Sequence, residues 1–371
     1  MTTKERYIGV MSGTSLDGVD TVIIEMDSGQ PKLLAANDYP YPEQLKQRVL
    51  NVCTGQATNL VDIGQLDHEL GVLYANAIQA LLDKSGYQAD QICAIGNHGQ
   101  TVYHNPSAPF PFTIQLGDAN IIAARTGITT IADFRRKDMA LGGQGAPLVP
   151  AFHQALFEPQ EATTVILNIG GIANISVLQP GKAVLGYDTG PGNMLIDAWC
   201  QKQLGLAFDR GAQFALQGDI HQPLLNDLLS EPYFALPAPK STGRELFNLE
   251  WLNSKLAEHS VSAEDVQRTL CEFSALTISQ QVEAFASGLL PELLVCGGGA
   301  RNPLLMDRLQ ALLPQWKMAT TDSRGIDGDN MEAMAFAWLA YRRMHNLPSN
   351  LPEVTGASKA VSLGVMYFAD N

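Results

Sequence analysis

Apolar, β-branched runs and short polar turns alternate at the start of the chain. Tyr7 to Met11 and Val19 to Met26 form two strand-like runs split by the turn Ser12 to Gly18, and Leu33 to Asn37 offers a third. The period then lengthens. Leu66, Leu70, Leu73, Ala77 and Leu81 fall near helical spacing, which predicts a helix over about 61–85 behind a shorter one over about 42–53. A strand at Ile92 to Gly96, the polar loop Asn97-His98-Gly99-Gln100-Thr101, a strand at about 112–116, a helix opening near Asp118 and a strand at Ile128 to Ala132 follow.

Residues 133–150 break this pattern with the densest basic cluster, Arg135-Arg136-Lys137, and a Gly/Pro-rich run to Pro150, so a domain junction is expected here. The order of strands before helices then restarts. Strand-like Thr164 to Asn168, Ile175 to Leu178 and Ala183 to Leu185 precede a helix over about 194–204 stopped by Gly205. No residue-level repeat accompanies the restart, so any duplication is architectural. Between 206 and 262, Pro223, Pro232, Pro237 and Pro239 restrict the chain, and short helices in an insertion over a cleft are expected. A helix over about 263–287, a buried strand Leu293 to Cys296, the turn Gly297-Gly298-Gly299, a helix from Pro303 capped by Asn302, a strand near 317–320 and a long helix near 330–345 complete an α/β alternation.

At 371 residues the chain exceeds what one hydrophobic core usually supports, and two domains are the natural expectation. Its 46% hydrophobic and 17% charged content belongs to a soluble globular protein. A net charge of -14 argues against a nucleic-acid partner, because phosphate-backbone binding relies on clustered Lys and Arg. It does not exclude a nucleotide, which helix N-termini, backbone amides and Mg²⁺ can hold. The five cysteines are widely spaced and form neither a disulfide framework nor a zinc pattern. With no apolar leader at Met1 to Arg6 and no run of roughly 20 apolar residues, a cytoplasmic protein without a membrane partner is expected.

Four glycine-bearing turns carry the candidate chemistry. Ser12-Gly13-Thr14-Ser15-Leu16-Asp17-Gly18 can offer backbone amides to phosphate oxygens, with Asp17 able to hold Mg²⁺ through water. A polar hairpin turn is the plain alternative. Ile169-Gly170-Gly171-Ile172-Ala173-Asn174 has the same two meanings, the plain one being favoured for this turn alone. Gly297 to Asn302 outlines a strand-turn-helix nucleotide site, although it is neither Gly-x-Gly-x-x-Gly nor a P-loop. In Tyr187-Asp188-Thr189-Gly190-Pro191-Gly192-Asn193 a carboxylate stands in a turn before a helix, where it can take a proton from a nucleophile or merely cap. His98 and Thr101 lie in a loop, Arg135 and Arg136 suit an anionic group or a solvated face, and Asp329 with Glu332 resembles a capping box.

Taken in order, the segment Gly9 to Asp20, Asn97 to Thr101, Asp133-Phe134-Arg135, Gly170 to Asn174, Tyr187 to Asn193 and Gly297 to Gly299 closely resemble the anhydro-N-acetylmuramic acid kinase family over nearly the whole chain. The resemblance implies a two-domain, actin-like ATPase (ribonuclease H-like) α/β fold, with a mixed sheet in each domain and an ATP cleft between them. It implies a first domain over 1–135, joined by 350–371, and a second over 136–349. ATP would be held by Gly13, Thr14, Ser15, Leu16, Asp17, Gly18, Val19, Asp20, Gly170, Gly171, Asn174, Gly297, Gly298, Gly299 and Asn302, with Mg²⁺ at Asp17. Many members of the wider superfamily place an Asp before the first Gly-Thr turn, where Met11 stands here.

The implied substrate is 1,6-anhydro-N-acetylmuramic acid, a product of cell-wall turnover. Water opens its 1,6-bridge with Asp188 as base, and O6 accepts the γ-phosphoryl group, giving N-acetylmuramic acid 6-phosphate and ADP. Thr101, Arg135, Gly190 and Glu332 are the implied sugar contacts, and a homodimer is left open. Two other readings stay in view: a simple sugar or acyl kinase in which Asp188 deprotonates a hydroxyl, and an ATP-gated binding module. The second would need a client-binding domain, for which the chain to Asn371 is expected to leave no room.

Overall fold

Hairpins open both halves of the chain. The computed structural model describes residues 4–13, 16, 18–27, 29–159, 161–244 and 246–369. The strands are β1 (Glu5–Met11), β2 (Gly18–Asp27), β3 (Gln30–Pro40), β4 (Ala94–Asn97), β5 (Gln100–Asn105), β6 (Phe112–Leu116) and β7 (Thr130–Ala132). They are followed by β8 (Thr164–Ile169), β9 (Ile172–Leu178), β10 (Leu185–Pro191), β11 (Glu292–Cys296), β12 (Lys317–Thr320) and β13 (Val365–Tyr367).

The first compact unit runs to Leu156 and resumes at Asn330, and the second is Phe157–Asp329. The first sheet has the order β13-β7-β4-β1-β2-β3, and the second has β10-β9-β8-β11-β12. In each, the first three strands form an antiparallel meander, and the fourth and fifth add parallel to the first. A parallel neighbour needs a long crossover. Helices Glu43–Cys53 and Leu60–Ser85 precede β4, and Ala263–Glu283 precedes β11. The two units therefore share a strand order of three-two-one-four-five, the mixed sheet of a ribonuclease H-like fold, and the α/β duplication is one of topology.

Packing draws the unit boundary away from 135 and 349. Asp138, fully buried, accepts from Gly145 N (2.8 Å), Asn350 Nδ2 (2.7 Å) and Thr355 Oγ1 (2.8 Å), so the chain beyond 135 is tied into the first unit. Helix Met331–Met344 also belongs there, lying so close to β1 and β4 that a Cβ on Gly9 or Gly96 would overlap the carbonyls of Ala333 and Phe336. In the second unit, segment 206–262 holds the expected short helices. Its helices Gln222–Leu229 and Leu249–Leu256 bury Leu224, Leu225, Leu228 and Leu252 with Phe247 against Phe273 of helix Ala263–Glu283. Among the described residues, no helix is long and apolar enough to cross a membrane.

Candidate functional site

Three of the glycine turns meet within the second unit. The β8–β9 turn presents the carbonyls of Gly170 and Gly171. Asn193 N donates to Gly170 O (2.8 Å), while Gly192 N and Met194 N donate to Gly171 O (2.9 and 3.1 Å). Asn193 Nδ2 adds a bond to Ile169 O (3.2 Å). The third turn closes on the same residue, because a Cβ on Gly299 would overlap the Ile169 side chain and one on Gly297 would overlap Asn168 Oδ1.

Other glycines in these turns have no such packing reason. A Cβ on Gly298 would meet nothing within 4 Å, and one on Gly171 would make only an ordinary 3.6 Å contact with Met194 Cβ. Their bare backbone suits close approach by a ligand. Asn174 lies on β9 opposite Asp188. Asn302 uses its side chain to cap helix Pro303–Leu312, accepting from Leu305 N (3.2 Å). Asp329 does not form the expected capping box with Glu332. It pairs with Arg301, and the cap residue of helix Met331–Met344 is Asn330.

Asp188 lies inside β10 and not in a turn after it. The ladder to β9 shifts register between Asp188 and Gly190, a bulge that re-aims the strand. Gly190 takes φ +143°, which favours glycine, and a Cβ there would press on the Phe234 ring. The half-buried Asp188 carboxylate accepts at Oδ2 from Ser241 Oγ (3.1 Å) and Thr242 N (3.0 Å). Its backbone is gripped as well, since Asp188 N donates to Lys240 O (3.0 Å) and Tyr233 Oη donates to Asp188 O (2.6 Å). Lys240 is buried, and Nζ donates to the carbonyls of Tyr233 (3.2 Å) and Phe234 (3.1 Å). Burial draws the Lys240 amine below its usual value, and burial with the Asp188 charge pushes the Tyr233 phenol up. Sequence reasoning missed this segment, whose only signal was its prolines.

The β1–β2 turn belongs to the first unit, and Thr14, Ser15 and Asp17 lie outside the described residues. Leu16 has φ +55°, and its side chain and that of Val19 are buried in the core, so these two can meet a ligand only through backbone. Gly13 O accepts from Leu16 N (3.2 Å), and Gly18 and Asp20 begin β2, with Asp20 opposite Met11 and Asp38. Among the described residues no group of three or more His, Cys, Asp and Glu forms a metal cluster.

In the same unit Arg135 is half-buried, unlike a residue on a solvated basic face. Nη1 donates to Gly145 O (2.8 Å), and Nη2 and Nε donate to His98 Nε2 (2.9 and 3.3 Å). Burial, reinforced by the Arg135 charge, holds buried His98 well below the usual imidazole value. A neutral ring accepting at Nε2 carries its proton on Nδ1, which is buried without a hydrogen-bond partner among the described residues. Burial lowers Arg135 to about 10 against the opposing Glu332 charge, and burial raises the Glu332 carboxyl against the pull of Arg135. Thr101 Oγ1, on β5, accepts from Gln115 Nε2 (3.1 Å). The structure thus brings Arg135 and Glu332 into one electrostatic neighbourhood.

The family model described as anhydro-N-acetylmuramic acid kinase matches residues 5–369. Proteins named anhydro-N-acetylmuramic acid kinase are similar over nearly their full lengths. That of Vibrio vulnificus strain YJ016 is 67% identical, with 99% of each chain covered, and that of Vibrio cholerae is 65% identical, with 100% of each covered. That of Pasteurella multocida is 58% identical, covering 97% of this chain and 96% of its own. Among solved structures, the activator of the 2-hydroxyisocaproyl-CoA dehydratase from Clostridium difficile covers 92% of this chain and 96% of its own at a TM-score of 0.45 and 10% identity, too distant a likeness to bear on the site. The chain belongs to the anhydro-N-acetylmuramic acid kinase family.

Proposed function

We propose that this protein is an ATP-dependent kinase that hydrolytically opens 1,6-anhydro-N-acetylmuramic acid and phosphorylates its O6, with Asp188 as the base. The observation that carries the residue assignment is the Asp188 carboxylate, fixed at a strand bulge in the unit where the glycine turns of 170–171 and 297–299 meet. Asp188 takes a proton from water as the water oxygen bonds to C1. The C1–O6 bond breaks with its electron pair left on O6. O6 then bonds to the γ-phosphorus, and the bond from that phosphorus to the ADP oxygen breaks. Ring opening itself generates the acceptor oxyanion, so no separate acid is required at O6.

Phosphoryl transfer depends mainly on positioning and charge neutralisation. Gly170, Gly171 and Asn174, the backbone of Gly297 to Asn302, and Gly13 to Asp20 are proposed to hold ATP. The uncrowded glycines at 171 and 298 support close approach by phosphate and adenosine groups. Mg²⁺ bound to the phosphates would neutralise their charge, and Asp17 is its proposed protein partner through water. Arg135, Glu332, Thr101 and Gly190 are proposed sugar contacts, with Arg135 suited to the substrate carboxylate. Conversion of a cell-wall turnover sugar with ATP is consistent with a cytoplasmic enzyme.

Reaction in ¹⁸O-labelled water tests the chemistry. The label is expected at C1 of the phosphorylated sugar, and an unlabelled product would replace this reading with a simple sugar kinase. Asp188→Asn is expected to lower turnover at least 1,000-fold on the order of other lost catalytic bases, with ATP affinity retained. Near-normal turnover would remove Asp188 from the mechanism.

A further inference from the structure

The strand bulge alone does not fix the direction of a carboxylate on a rotatable side chain. Around Asp188 the structure adds a second device, built from residues 233–242 of the same unit. Tyr233 Oη and Lys240 O hold the Asp188 backbone from both of its polar groups (2.6 and 3.0 Å). Ser241 Oγ and Thr242 N both donate to Oδ2 (3.1 and 3.0 Å), restricting the carboxylate rotation. Two donors from adjacent residues restrict the position of Oδ2 more tightly than one would.

Lys240 explains why this segment keeps its shape. Its Nζ crosses back to the carbonyls of Tyr233 and Phe234 (3.2 and 3.1 Å) and lies 4.8 Å from the Tyr233 ring centroid. That bond pattern closes residues 233–240 into a loop whose two ends both touch Asp188. A buried amine is costly to desolvate and is rarely retained without hydrogen-bond partners. Here the partners are the carbonyl of Tyr233, whose hydroxyl holds Asp188 O, and that of its neighbour Phe234. Phe234 also fills the space over Gly190 that a larger residue would occupy. The loop is thus fitted to both sides of the bulge.

We infer that residues 233–242 form a positioning clamp for the base, in which Ser241 and Thr242 orient the Asp188 carboxylate toward water and Lys240 holds the clamp closed. Neither Lys240 nor Ser241 reacts. The inference rests on Asp188 being the base, and it adds residues that sequence motifs did not single out.

Ser241 is exposed, so Ser241→Ala can be made without opening the core. Loss of one hydrogen bond to the carboxylate is expected to lower kcat about tenfold and leave KM for ATP and the thermal midpoint unchanged. Ser241→Thr, which keeps the hydroxyl, is expected to restore kcat to within about twofold of the parent. Lys240→Met should lower kcat further at unchanged KM for ATP; if it does not fold, the serine pair decides. The clamp is overturned by unchanged kcat in Ser241→Ala, or by an equal loss in Ser241→Thr. Asp188→Asn measured alongside separates the two readings: an inactive Asp188→Asn with a fully active Ser241→Ala rejects the clamp and spares the base, whereas an active Asp188→Asn rejects the base itself.

Discussion

Gly192 and Gly171 sit across one pair of hydrogen-bonded turns, yet a methyl group should have opposite consequences at the two. On Gly192 it would overlap Gly170 O and press on Ala173 N and the Ile169 side chain, so backbone must move against backbone. Overpacking of this kind costs about 1–3 kcal/mol, and loosening the bonds from Gly192 N, Asn193 N and Met194 N adds about 1 kcal/mol for each one lost. Gly192→Ala should therefore lose about 3 kcal/mol, lowering the urea midpoint of the second unit by about 1–2 M at an ordinary denaturant slope. On Gly171 the methyl meets only Met194 Cβ at 3.6 Å, and the residue is not in the left-handed region. Gly171→Ala should stay within about 0.5 kcal/mol of the parent while raising KM for ATP about tenfold, the loss of one charge-assisted backbone contact. Urea unfolding and steady-state kinetics on both variants make the test. A stable Gly192→Ala would refute the packing argument, and an unchanged KM for ATP in Gly171→Ala would refute the phosphate-loop assignment.

Three further outcomes are expected. Asp138→Ala removes the acceptor shared by Gly145 N, Asn350 Nδ2 and Thr355 Oγ1, and should cost the first unit about 3 kcal/mol or more in chemical denaturation. His153 is buried, and burial lowers its imidazole to about 3. Below about pH 6.5 the unfolded chain protonates this residue while the folded one does not, so stability must fall with falling pH by about 1.4 kcal/mol per unit until the folded value is reached. His153→Gln should flatten unfolding free energy between pH 6.5 and 4.5 by up to about 3 kcal/mol. Arg135→Met should raise KM for the anhydro-sugar more than about tenfold without changing KM for ATP; an unchanged sugar KM would remove Arg135 from the substrate contacts.

Much of the architecture was legible because hydrophobic period reports which face is buried. The leucine stripe from Leu66 to Leu81 became helix Leu60–Ser85, and Asn302-Pro303 opened a helix as cap chemistry requires. Periodicity failed where burial was set from elsewhere. The polar residue Asp188 reads as turn, yet pairing with β9 carries β10 through it to Pro191. Asp329 and Glu332 have capping-box spacing, but Arg301 takes the first and the neighbourhood of Arg135 receives the second. Glycine itself is ambiguous in sequence, since a tight turn, a close backbone contact and a ligand loop all select it.

The chain by itself determined the glycine turns, the carboxylate between them, the α/β alternation and the ordered motifs of a kinase family, because local conformation and chemical type are written residue by residue. Only the tertiary structure decided that Gly192 serves packing while Gly171 leaves room, that Arg135 is held by His98, and that Lys240, Ser241 and Thr242 bond to Asp188. Those assignments depend on distances between residues far apart in the chain, and such distances exist only once the sheets have formed and their connecting segments have closed over them.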